Sequence, residues 1–188
     1  MPAKTYYRRY LPHWYPPGSP LFITWRLFGS LPRNVLARID EPDGKLSDGR
    51  RFALADAELD RAATGPVWLK DARIAAVVAG TLRRGVEMKA FELHAYVVMA
   101  NHVHVLMTPN IEVVRIMRSI KRRSAADANA ILGQTGAKFW AEESFDHWCR
   151  KETEFWRIKE YIENNPVKAG LVKKPEEWVW SSAGNTGL

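Results

Sequence analysis

His102-Val103-His104 sets two imidazoles two residues apart in an apolar run that continues Val105-Leu106-Met107. A β-branched, apolar segment of this kind favours a strand, where residues i and i+2 share a face. Both rings then project together, while Val103, Val105 and Met107 enter the opposite side. Neutral imidazole is the commonest metal ligand, and two convergent rings are a minimal way to hold a divalent cation. By itself, such a pair is more often a solvated strand face than a metal site.

A second candidate lies near the end of the chain, in Glu160-Tyr161-Ile162-Glu163-Asn164-Asn165-Pro166-Val167-Lys168-Ala169-Gly170. Thr153 reads as an N-cap, and Glu154 sits well against the helix dipole. Phe155, Ile158 and Ile162 recur at i, i+3 and i+7 and define a buried stripe. Tyr161 falls on the edge of that stripe, and Asn165 lies one turn further along the same edge. Pro166 is expected to end the helix, with Gly170 suited to the turn beyond. A phenol and an amide oxygen are thus presented side by side at a helix C-terminus. Alternatively, Tyr161 packs its ring on the core and leaves its hydroxyl in water.

The elements that must position these residues follow from periodicity. Leu21–Leu27 alternates, with Leu21, Ile23, Trp25 and Leu27 on one face of a first strand. Before it, Tyr6 to Pro20 is aromatic, basic and proline-rich, and reads as an ordered arm without regular structure. Asp40 to Arg51 reads as a loop. Pro66 to Arg84 is expected to be a helix, opened by Gly65-Pro66 and closed by Gly85, with Leu69, Ile74, Val77, Val78 and Leu82 inward. Phe91 to Met99 is a second strand, joined to the histidine strand by a tight turn at Ala100-Asn101. A long helix runs from about Glu112 to Leu132, followed by an extended Lys138-Phe139-Trp140 piece and the tyrosine helix. Strand, helix, strand, strand, helix with short links is the order of an α+β, ferredoxin-like split βαβ fold.

In combination and in this order, the His-Val-His strand preceded by Val97-Val98-Met99-Ala100-Asn101 and the Tyr161–Val172 segment resemble the single-tyrosine transposases of the HUH nuclease superfamily, most closely the REP-associated tyrosine transposases of bacteria. The resemblance runs from Phe22-Ile23-Thr24-Trp25 to Trp178-Val179-Trp180-Ser181-Ser182. It implies an antiparallel sheet with helices on one face, the histidines on a central strand and the tyrosine helix laid near them. It further implies that His102 and His104 bind a divalent cation, that Tyr161 attacks a DNA phosphate, and that Asn165 completes the metal site. Ala100 departs from a common proline, and Gln often stands at the Asn165 position in insertion-sequence relatives, which leaves the third ligand open. The implied activity is metal-dependent cleavage and joining of single-stranded DNA near hairpin elements through a 5′-phosphotyrosine, with Mg²⁺ or Mn²⁺ as the ion. The alternative is a catalytically silent hairpin-binding descendant.

Composition is compatible with this. The 188 residues are 46% hydrophobic, suited to one globular domain spanning 1–188, with residues 1–20 as a DNA-contacting arm. A formal charge of +7 favours a polyanionic partner. Arg115, Arg118 and Arg122 recur at i, i+3 and i+7 on the side of the long helix opposite Val113, Ile116, Met117 and Ile120, with Lys121 beside them and no interleaved acid. They are candidate phosphate contacts, as are Arg8 and Arg9 in the arm, which the resemblance associates with reading single-stranded DNA. The single cysteine, Cys149, excludes an intramolecular disulfide and a cysteine-rich zinc site. No stretch has the ~18 apolar residues of a membrane span, and a cytoplasmic monomer or homodimer is expected. His94, placed by alternation on a face with Glu92 and Tyr96, is expected to be structural or to support a ligand from behind; His13, His147 and Ser181-Ser182 have no assigned chemistry.

Overall fold

The alternating segment Leu21–Leu27 (β3) is a central strand of a four-stranded antiparallel sheet, in a computed structural model that describes residues 6–8, 12–14, 16–40 and 46–184. The other strands of the sheet are Phe91–Val98 (β4), His102–Pro109 (β5) and Trp140–Trp148 (β6), in the spatial order β4-β5-β3-β6. Helix α3 (Ala72–Glu87) connects β3 to β4, and α4 (Val113–Ile131) connects β5 to β6. That order and those crossovers are the split βαβ, ferredoxin-like arrangement. The tyrosine helix, α5 (Glu152–Lys168), follows β6 and lies across β4 and β5.

The two faces of the sheet are filled differently. Leu21, Ile23, Trp25, Leu27, Val103, Val105 and Met107 join α3 and α4 in the larger core. Phe22, Ala95, Val97 and Leu106 face α5, where they meet Ile158 and Ile162. Burying each such side chain is worth roughly 1.5–3 kcal/mol, so the period-2 pattern of β3 and β5 fixes which residues face which layer. The histidines of β5 accordingly point toward α5.

Several local expectations are corrected. The arm contains regular structure: β1 (Tyr6–Arg8) pairs antiparallel with β2 (Pro12–Trp14). The loop expected from Asp40 to Arg51 is shorter, because α1 (Arg33–Ile39) precedes it and α2 (Asp48–Arg61) begins inside it. Asp48 in the first turn of α2 suits the positive end of the helix dipole and outweighs Gly49 beside it. Helix α3 is opened not by Gly65-Pro66 but by Asp71, whose carboxylate accepts from the Arg73 N–H at 2.9 Å. Gly85 does not close α3. It lies within the helix, where a Cβ would come 2.3 Å from Cε1 of Phe91.

Helix α5 starts one residue after Lys151, so Thr153 belongs to its first turn, and it runs through Pro166. Pro166 costs one hydrogen bond there, and the end is closed downstream instead. Gly170, at φ +70°, takes the left-handed conformation, its N–H reaching Val167 O and the Leu171 N–H reaching Pro166 O, which is a Schellman ending. The C-terminal segment hydrogen-bonds to the outer edge of β4, through Val98 N to Trp180 O and Ser182 N to Tyr96 O, and Ser181 bridges Val97. Among the described residues, no helix is long and apolar enough to cross a membrane.

Candidate metal and nucleophile site

His102 and His104 are fully buried, with their Nε2 atoms 3.0 Å apart. Each ring is fixed from behind. His102 Nδ1 lies 2.8 Å from Asn101 Oδ1, an acceptor, so Nδ1 carries the proton and Nε2 keeps its lone pair. His104 Nδ1 lies 2.6 Å from the Thr24 hydroxyl, presented by the paired position on β3. Asn101 and Thr24 thereby orient both rings toward one point.

A residue that periodicity and motif spacing do not single out completes the convergence. Asp56 of α2 is buried, with Oδ1 3.3 Å from His104 Nε2, and Asp56, His102 and His104 form a group able to hold a metal ion. Asp60, one turn on, brings Oδ1 to 3.8 Å from His102 Nε2. Two imidazole nitrogens and a carboxylate oxygen converge on one point, a nitrogen and oxygen donor set that fits a divalent ion. A fainter signal is present: Phe52, Ala55, Asp56, Leu59 and Asp60 recur at i, i+3, i+4, i+7 and i+8, a buried-face pattern carrying two acids.

Tyr161 reaches the same place from α5. Its hydroxyl donates to Asp56 Oδ2 at 2.5 Å, and its ring centroid lies 5.6 Å from that of His104. Phe22 and Phe52 pack edge-on against the phenol. Asn165, a turn further, is fully buried, and neither amide atom has a hydrogen-bond partner among the described residues. Lys168, at the end of α5, closes the rim through Asp60 Oδ2 at 2.7 Å and Asp56 Oδ2 at 3.4 Å.

The electrostatics follow from this crowding. Burial alone would raise the Asp56 carboxyl, but the contact and charge of His104, the Tyr161 hydroxyl and His102 hold it well below the usual range. Burial pushes the Tyr161 phenol up, reinforced by the negative charges of Asp56 and Asp60, while the nearby Asn165 amide pulls the other way. Burial, then the neighbouring His104, keep His102 neutral. Asp60 is raised by burial, against the pull of Lys168.

Other sequence candidates lie elsewhere. The arginines of α4 are exposed on the layer across the sheet from the histidines. Arg115 is not free of acids, because Glu112, just before the helix, pairs with it at 3.2 Å. Lys121 turns away from the arginines to the carbonyls of Ala141 and Glu142 on β6. Arg8 is in β1 with its side chain outside the described residues, and Arg9 lies outside them altogether. His94 sits at a β-bulge that breaks the alternation placing it beside Tyr96; it bonds Thr108 Oγ1 at 2.8 Å and packs on Phe155, away from the site. His147 pairs with Glu154 at 2.9 Å.

By backbone likeness, the chain is similar to a REP-associated tyrosine transposase whose structure was solved bound to a REP hairpin. The match has a TM-score of 0.55 at 21% identity, covering 94% of this chain and 81% of the other. A candidate transposase from Deinococcus radiodurans matches at a TM-score of 0.43 and 17% identity, over 80% of this chain and 93% of the other. No curated protein matches by sequence. The family model described as "Transposase IS200 like" matches residues 67–165, more than half of the chain, including the histidine pair and the tyrosine. The chain belongs to the IS200-like transposase family.

Proposed function

We propose that this transposase-family protein is a metal-dependent single-stranded DNA endonuclease and strand transferase acting beside hairpin elements, with Tyr161 as nucleophile. The observation that carries the proposal is the meeting of Tyr161, His102 and His104 around one carboxylate. His102 and His104, with Asp56 or Asn165, would hold a divalent ion, Mg²⁺ or Mn²⁺. Such an ion supplies Lewis-acid polarisation of a phosphate oxygen and offsets charge on the leaving group.

The chain's own groups do the rest. Asn101 holds His102 in the ligating tautomer, and Thr24 orients the His104 ring. Phe22 of β3 holds the phenol edge-on beside His104. The Tyr161 oxygen forms a bond to phosphorus as the P–O3′ bond breaks; the phenolic proton passes to solvent and the departing 3′ oxygen is protonated. The products are a 5′-phosphotyrosine and a free 3′-OH, and because the phosphodiester bond energy is kept, rejoining needs no nucleotide cofactor. The exposed arginines Arg115, Arg118 and Arg122, with Arg8 and Arg9 of the arm, would grip the sugar-phosphate backbone.

The test is incubation of the protein and Mn²⁺ with single-stranded hairpin oligonucleotides labelled on either side of the cut. A protease-sensitive covalent adduct on the 3′ fragment, absent in Tyr161→Phe, is the expected result. Cleavage without an adduct would mean that water is the nucleophile. The full burial of both imidazoles favours a second reading, a protein that binds hairpins without cutting them; binding without cleavage under all metals would establish it.

A further inference from the structure

One carboxylate makes the two contacts that a scissile phosphate needs. Asp56 Oδ2 accepts from the nucleophile at 2.5 Å, and Oδ1 lies 3.3 Å from a ligating imidazole. With both histidines fully buried, no phosphate reaches them while α2 is in place. The element that carries Asp56 is separately built. Helices α1 and α2 share a small core of Leu31, Val35 and Leu59, distinct from the cores on the two sheet faces. Beneath them lies a cavity of about 380 Å³, walled by Leu36, Ile39, Ala55, Phe52 and Phe145 and reaching Thr24 and Asp56. It opens to solvent beside Phe28 and Lys138, so this side of α2 is only partly packed on the sheet.

The unit also has pivots. It leaves the body at Gly29, φ +79°, and returns at Gly65, φ +72°, two residues before the family match begins. The glycines are in backbone contact: a Cβ on Gly65 would come 2.0 Å from Gly29 O. Both chain crossings therefore lie at one point, about which α1 and α2, joined by their shared core, can swing together. Two kinds of contact hold it down: the polar ones of Tyr161 and Lys168 on Asp56 and of Lys168 on Asp60, and one aromatic side chain, Phe52, packed on Phe22 and Phe145.

The geometry points to α1–α2 as a lid whose Asp56 stands in for the scissile phosphate, so that substrate enters only as the lid lifts. In the closed state Asp56 shields the histidine pair and occupies the nucleophile. On opening, Tyr161 and Lys168 exchange a carboxylate for a DNA phosphate. This inference deepens the nuclease proposal, which it presupposes for the identity of the incoming anion.

Native-state hydrogen exchange on the full chain, without divalent metal, tests the lid independently of any cleavage. Amides of α1 and α2 are expected to exchange as one block, well before those of α3 and α5, and faster still once a single-stranded oligonucleotide is bound. Asp56→Ala should speed that block and, by enlarging the open fraction, tighten oligonucleotide binding in EDTA by about tenfold. Ala55→Leu, which fills the cavity under α2, should slow the block and weaken binding. Glu58→Gln, an equal charge change on α2, should do neither. Exchange of α1 and α2 only through global unfolding, or an Asp56→Ala protein that binds no tighter, would overturn the lid. Block exchange in a protein that binds no DNA would support the lid and reject the nuclease.

Discussion

His104 is constrained at both nitrogens, by Thr24 behind it and by Asp56 and His102 in front, and this double constraint makes a metal test decisive. A preformed donor set binds an ion in the folded state and not in the unfolded chain, so saturating metal stabilises the protein. At a hundred times Kd the gain is about 2.7 kcal/mol, which for a chain of this length raises Tm by roughly 5–10 °C. Mn²⁺ should give that rise in the native protein and none in His104→Ala, measured by a thermal melt with and without EDTA. Cys149 gives a second check at this scale. Burial, aided by the charge of Glu154, pushes its thiol up to about 11, so alkylation at pH 8 should be slow in the folded protein and fast after unfolding in urea. The histidine pair and Tyr161 are legible in the sequence because short-range spacing sets their direction. Asp56 is not, since its partners lie 46, 48 and 105 positions away and only the packing of α2 reveals them.

Two glycines of the same helix separate packing from propensity at the scale of elements. Gly85 in α3 faces Phe91 of β4, and a Cβ would lie 2.3 Å from Cε1 and 2.6 Å from Cζ of a fully seated ring. Gly80 is exposed, with nothing within 4 Å of its Cβ position. Gly80→Ala should therefore stabilise the protein by about 0.5–1 kcal/mol through helix propensity and unfolded-chain entropy. Gly85→Ala should destabilise it by about 1–3 kcal/mol, because overpacking exceeds the same gain; urea unfolding of both variants reads the difference. Glycine alone does not distinguish these positions in the sequence, where Gly85 looks like a helix end. The same limit explains Pro166, whose effect on α5 depends on the Gly170 ending that follows it. Strands β3 and β5 are legible residue by residue, because alternation against two separate cores leaves only one register. Helix α2 is obscured by the two acids on its inner face, which break the apolar period.

Across the whole molecule, charge is arranged by layer. The net charge is +7, yet Asp56 and Asp60 make the buried site locally acidic. The exposed Arg118 and Arg122 lie beyond the sheet, on the outer side of α4. A strand engaged at Tyr161 cannot touch that side without a second, distant segment of nucleic acid wrapping round the sheet. The stem of a hairpin has the reach to do this, whereas a short unpaired oligonucleotide does not. Replacing both arginines with alanine should therefore weaken binding of a hairpin and reduce the slope of log K against log salt by about 0.7–0.9 for each phosphate that is no longer neutralised. Binding of an unpaired oligonucleotide of the same flanking sequence should keep its slope, and the cleaved phosphate should not move, because the site that selects it is untouched. Titrations of the two DNAs between about 50 and 200 mM salt distinguish this stripe from an ordinary solvated helix face, for which both slopes would stay as they are.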